Sequence, residues 1–189
     1  MGLFNSHKDE NEHRSQREIL QGKYASACYN VLLVVIFTLI NVVLLVLKSD
    51  TYFLFSAYIP YAMADLGMFF CGMYSAEYYT GELAGMNFLP KGVFVAILVV
   101  IALILVMYLI AWIFAKMGKS GWLIAVLVMF GLDTAVLLLL NGISVDFIVD
   151  YIFHAWVIYS VITGLRVASK LKGLPDEEIE DPISEEITE

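Results

Sequence analysis

Apolar residues in this chain fall in long runs separated by short polar turns. Val31 to Leu47 is interrupted only by Thr38 and Asn41, and Gly92 to Ala115 carries no charge. Trp122 to Leu140 carries one charge, Asp133, while Phe147 to Leu165 carries Asp150 and His154. Each run reaches or approaches the ~20 residues a helix needs to cross ~30 Å of hydrocarbon. The pattern predicts an all-α integral membrane protein, a four-helix transmembrane bundle with spans over 25–48, 92–115, 122–141 and 146–168.

One further stretch is apolar but ambiguous: SDTYFLFSAYIPYAMADLGMFFCGMY, Ser49 to Tyr74. Pro60 and Asp65 would each be costly in a lone lipid-facing helix; Asp costs ~2.5–3.5 kcal/mol at mid-bilayer. Basic residues argue in the same direction. Arg14, Arg17 and Lys23 precede the first run, Lys116 and Lys119 lie between the second and third, and Arg166, Lys170 and Lys172 follow the last. Four spans place all three clusters on one side of the membrane, as the positive-inside rule asks; five spans split them. Residues 51–90 also hold 11 of the 26 aromatics, six of them tyrosines, and tyrosine favours the membrane–water interface. Residues 49–91 are therefore expected to form an interfacial or re-entrant outer-face segment, with five spans as the alternative.

Composition adds a boundary at each end. The chain is 60% hydrophobic and 16% charged, where soluble domains run nearer half and a quarter. Residues 1–24 form a polar arm without a cleavable signal pattern, so the first span is expected to be an uncleaved signal-anchor. The net charge of −8 comes from the C-terminal tail LPDEEIEDPISEEITE. Residues 173–189 are expected to be an acidic, disordered cytoplasmic tail, because such a block cannot bury enough apolar surface to offset chain entropy.

The segment Lys48 to Tyr61, KSDTYFLFSAYIPY, resembles a segment of small multi-pass membrane proteins from Gram-positive bacteria, whose function is uncharacterised. The resemblance implies the plasma membrane of a bacterium and carries over no activity or site residues.

Polar residues inside the spans are the candidate chemistry. Asp133 lies eight residues before Asn141, and His154 ten after Ser144, so a hairpin at the turn puts both ~12–15 Å deep. Asn41 and Thr38 fall in the same band. Asp146, Asp150 and His154 recur every four residues and share one helical face. Intramembrane ionisable groups mark function by default, so Asp133, His154, Asp150, Asn41 and Thr38 are candidates for binding a proton or cation. The competing reading is interhelical hydrogen-bonding glue. Asp65, Glu77, Glu82 and Asp146 are candidates for an acidic outer mouth.

No phosphate-binding loop, nucleophile elbow, HExxH or CxxC pair is present, and Cys28 and Cys71 are isolated thiols. No catalytic residue, metal site or cofactor is expected, and the few basic residues argue against nucleic acid. Two functions lead, with an intramembrane acid–base enzyme using Asp133, Asp150 and His154 as a third choice. The first is a non-enzymatic accessory or interaction subunit, with membrane lipids around it and a protein partner bound through the N-terminal arm or acidic tail. The second is an oligomeric proton- or cation-linked transporter or channel using the Asp/His layer.

Overall fold

A computed structural model describes residues 16–53 and 55–174. The described residues form five α-helices: α1 (Gln16–Val46), α2 (Tyr58–Phe70), α3 (Lys91–Lys116), α4 (Trp122–Asn141) and α5 (Ile148–Lys172). Single-turn 3-10 helices stand at Ala76–Tyr79, Gly81–Leu83 and Val145–Phe147. Helices α1, α3, α4 and α5, the last extended through its 3-10 lead-in, are long and apolar enough to cross a membrane. A helix is the natural form there, since it satisfies its own backbone polar groups where no water can. Helix α1 begins at Gln16, within the stretch expected to be a polar arm, because the good helix formers of QREILQ extend the apolar run backwards. The remainder of that arm and the tail beyond Leu174 lie outside the described residues.

Two spans end on a glycine. Gly118, with φ +83°, follows α3, and Gly142, with φ +60° and ψ −157°, follows α4; both hold a positive φ that glycine adopts at least cost. Pro90 precedes α3, where a missing amide is no loss.

The four long helices pack antiparallel around a core that includes Val31, Val34, Leu123, Phe130, Val157 and Val161. Near the start of α1, the Tyr24 hydroxyl donates to the Ala115 carbonyl at the end of α3, at 2.7 Å. Asn30 of α1 donates to the Ser160 hydroxyl of α5, also at 2.7 Å. The contact between α1 and α5 is close because it is lined with small residues: a Cβ on Gly164 would lie 2.7 Å from the Ala27 Cβ. Small side chains of this kind let helix backbones approach within a membrane, where packing rather than the hydrophobic effect drives association. The start of α1, the α3–α4 turn and the end of α5 thus share one end of the bundle. The opposite end carries the α4–α5 turn, the reversal after α1 and the loop between α2 and α3.

That second end answers the question posed by Ser49–Tyr74. After α1 the chain reverses through Lys48, at φ +56°, and runs back down alongside α1, with Phe53 held by Asn41 and Ala57 by Thr38. Helix α2 then starts deep in the bundle and climbs out again. Its far end packs on the beginning of α3, where Gly67 sits against Phe94 and Ile97, and the Cys71 thiol faces the Pro90 carbonyl. At 13 residues, or about 20 Å, α2 is too short to cross. The chain thus dips between the long helices and returns to the end of the bundle it left, a hairpin whose second limb is α2.

Candidate functional site

The deep tip of the hairpin rests on the polar layer. Helices need partners for the amides of their first turn, and α2 has no side-chain cap of its own; its N-cap residue is Ala57. The bundle supplies them instead. Thr38 Oγ1 of α1 accepts the Ala57 amide at 2.8 Å. Asp133 of α4 accepts the next two, Tyr58 at Oδ2 (2.8 Å) and Ile59 at Oδ1 (2.7 Å). Position 60 is proline, which has no amide to satisfy. A carboxylate at a helix N-terminus also meets the positive end of the helix dipole.

His154 of α5 completes the arrangement. Its Nε2 lies 3.0 Å from Asp133 Oδ2, and its Nδ1 lies 2.8 Å from the Asp150 carbonyl oxygen. A carbonyl can only accept, so Nδ1 carries a proton. The Nε2···Oδ2 contact then also needs a proton between the two atoms, whether it resides on the imidazole or on the carboxyl. Asp133 and His154 are both buried, and the imidazole stacks on Phe130 with ring centroids 4.8 Å apart. Taken together, the pair and its proton are neutral overall, the form that low dielectric favours.

The descending limb is held by the same logic. Asn41 donates through Nδ2 to the Phe53 carbonyl (2.6 Å) and accepts the Phe53 amide at Oδ1 (2.8 Å). One side-chain amide thereby serves both backbone groups of Phe53, as a neighbouring strand would. Its Nδ2 also donates to Ser56 Oγ at 2.9 Å. Thr38 passes its own proton to the Val34 carbonyl at 2.6 Å. At the bend Phe55 holds φ +74°, a costly region for an aromatic residue. Its ring is fixed between α1 and α5, 4.5 Å from Phe153 and 6.2 Å from Phe37 by centroid.

The structure therefore brings Asp133, Thr38 and Asn41 onto Phe53 and residues 56–59, with His154 reaching them through Asp133. Asp150 joins His154 through its backbone carbonyl. In comparisons with known proteins, no family model, curated protein or solved structure matches this chain. The site must be read from its own geometry.

The four carboxylates expected at an acidic mouth do not line one cleft. A cleft of ≈ 840 Å³ does open at the hairpin end, and Asp65 lines it, but Glu77, Glu82 and Asp146 do not. Glu77 and Glu82 project from exposed 3-10 turns, and Asp146 is exposed on the α4–α5 turn, where its amide donates to the Ser144 hydroxyl. The second carboxylate of the cleft is Asp50, which sequence reasoning passed over. Ser56, Tyr58 and Tyr74 were passed over too. One signal was available: proline in the first turn of a helix is common, so YIP could have marked the start of α2 near Tyr58.

Proposed function

We propose that this chain is a non-enzymatic accessory or interaction subunit of a membrane, which holds a re-entrant hairpin rigid and presents the surface built on it at one membrane face. The observation that supports this reading is saturation of the polar layer. Both oxygens of Asp133, both nitrogens of His154, the Asn41 amide and the Thr38 hydroxyl are each engaged within the chain. A site that binds and releases an ion needs coordinating atoms to spare. These atoms hold the hairpin.

Sidedness follows from charge. Arg17, Lys23, Lys116, Lys119, Arg166, Lys170 and Lys172 all belong to the end where α1 starts and α5 finishes. By the positive-inside rule that end is cytoplasmic, with both termini, and the hairpin faces outward. The resemblance of Lys48–Tyr61 to Gram-positive membrane proteins fits a bacterial plasma membrane. The test is reconstitution of the purified chain in liposomes, with proton flux followed by an internal pH dye, beside the size of the chain extracted from its native membrane. This reading expects no flux above empty liposomes and a native assembly larger than the purified protein. A protein that is complete alone and carries pH-driven flux would overturn it.

One observation favours the second reading, proton-linked transport: the Nε2···Oδ2 contact holds a proton that either partner can carry. On that reading Asp133→Asn abolishes a flux that the wild type shows.

A further inference from the structure

The outward cleft lies between the two limbs of the hairpin and the loop that follows α2. Lys48, Asp50 and Tyr52 line it from the descending limb, Tyr61 and Asp65 from α2, and Tyr74 and Tyr78 from the loop. Its volume of ≈ 840 Å³ is that of a site for a small organic molecule. Three features of its wall bear on what fits there.

The first is charge. Two carboxylates, Asp50 and Asp65, face one ammonium, Lys48, so the cleft carries a net negative charge with neutral phenols. Burial pushes the Tyr52 phenol up to about 12, against a lowering by its bond to Ser56; Tyr61 is also raised by burial and then by Asp65. The second is aromatic surface. Tyr74 and Tyr78 stack with centroids 5.0 Å apart, and Tyr52 meets Tyr61 edge to face at 5.1 Å. Ring faces attract cations, and more strongly when the site is partly dry. The third is a fixed carboxylate: the Tyr74 hydroxyl donates to Asp65 Oδ1, which orients the group. Leu45 and Leu66 add hydrocarbon to the wall.

Inorganic metal fits this wall poorly. Among the described residues no three His, Cys, Asp or Glu side chains converge to hold one. We propose that the cleft binds an organic ammonium group, seated against Asp65 and the tyrosine rings with its hydrocarbon toward Leu45 and Leu66. The same chemistry is offered by a phospholipid amine headgroup and by a water-soluble amine. This inference goes beyond the subunit reading above and does not depend on it.

The test uses the full chain in nanodiscs of phosphatidylglycerol, which bring no ammonium, with choline and its neutral isostere 3,3-dimethylbutan-1-ol as probes. Choline is expected to bind saturably, roughly tenfold tighter than the isostere. Asp65→Asn keeps an oxygen for the Tyr74 hydroxyl and so preserves the loop, yet should weaken choline by about tenfold. Tyr78→Leu, on an exposed ring away from the hairpin's anchors, should weaken it as well. Repeating the titration in discs containing phosphatidylethanolamine separates the sources. Lost choline binding identifies the headgroup as occupant, and unchanged binding identifies a soluble amine. Absence of saturable binding in phosphatidylglycerol discs, equal binding of the isostere, or wild-type affinity in both variants would overturn the proposal.

Discussion

Asp133 on α4 accepts the first two amides of α2, and Pro60 fills the following position with a residue that has no amide. The two residues are far apart in sequence and close the same helix end. This is why a half-helix can begin in the middle of the bundle: with Thr38 taking the Ala57 amide, its first turn leaves no donor facing hydrocarbon. A buried carboxylate and a proline, each a cost in a lone span, are here parts of one solution.

Asp133→Asn should therefore act on the hairpin before the bundle. The new amide keeps one oxygen for Ile59 and turns its NH₂ toward the Tyr58 amide and His154. One buried backbone donor is left unpaired, at a cost of about 1–3 kcal/mol. Hydrogen exchange in detergent should rise selectively at residues 57–62, with Asp133→Leu losing more. Equal protection in wild type and both variants would mean the carboxylate is not what caps α2.

His154 offers a sharper check, because its tautomer follows from one carbonyl. With Nδ1 against the Asp150 oxygen, a ¹⁵N spectrum of labelled histidine should show a protonated Nδ1 for His154 in the folded protein. A neutral ring with a bare Nδ1 would require the imidazole to be turned over.

Much of this was legible beforehand, for a definite reason. Lipid demands long apolar runs, so the runs gave away the four spans, and counting residues from the α4–α5 turn put Asp133 and His154 at one depth. The basic clusters argued that Ser49–Tyr74 returns to the side it left. What composition could not show is that Asp133 binds backbone. The amides of Tyr58 and Ile59 are no different from any others in a sequence, and only the placement of α2 makes them orphans. The cleft was hidden in the same way: Asp50, Asp65 and Tyr74 converge because the limb folds back on α2, and no spacing rule encodes that return.

Gly164 supplies a test of the bundle itself. A methyl there would meet the Ala27 Cβ at 2.7 Å, which has no side-chain torsion to move it aside, and Leu123 Cδ1 at 3.2 Å, so α1 and α5 must separate. Gly164→Ala should cost about 1–3 kcal/mol, as overpacking does. Gly22, also helical, has nothing within 4 Å of an added Cβ, and Gly22→Ala should stabilise α1 by about 0.5–1 kcal/mol. Denaturant unfolding in detergent measures both. If the two substitutions shift stability in the same direction, the close α1–α5 approach is not as described.

The hairpin's path makes a last prediction that separates it from a fifth span. Cys28 and Cys71 are both buried and free, so a background with each replaced by alanine removes competing thiols. Thr51 lies exposed on the descending limb, Glu82 on the loop after α2, and Lys119 on the α3–α4 turn. Single cysteines at the three positions can be labelled with a membrane-impermeant maleimide added to one side of sealed vesicles. If the chain dips and returns, Thr51→Cys and Glu82→Cys react from the same side and Lys119→Cys from the other. A crossing segment would place Thr51 and Glu82 on opposite sides. Lys119 cannot make that distinction alone, because α3 carries it across from Glu82 in either arrangement; the comparison of Thr51 with Glu82 decides it. Opposite labelling of that pair would put Asp65 inside the membrane and remove the cleft as an outward site.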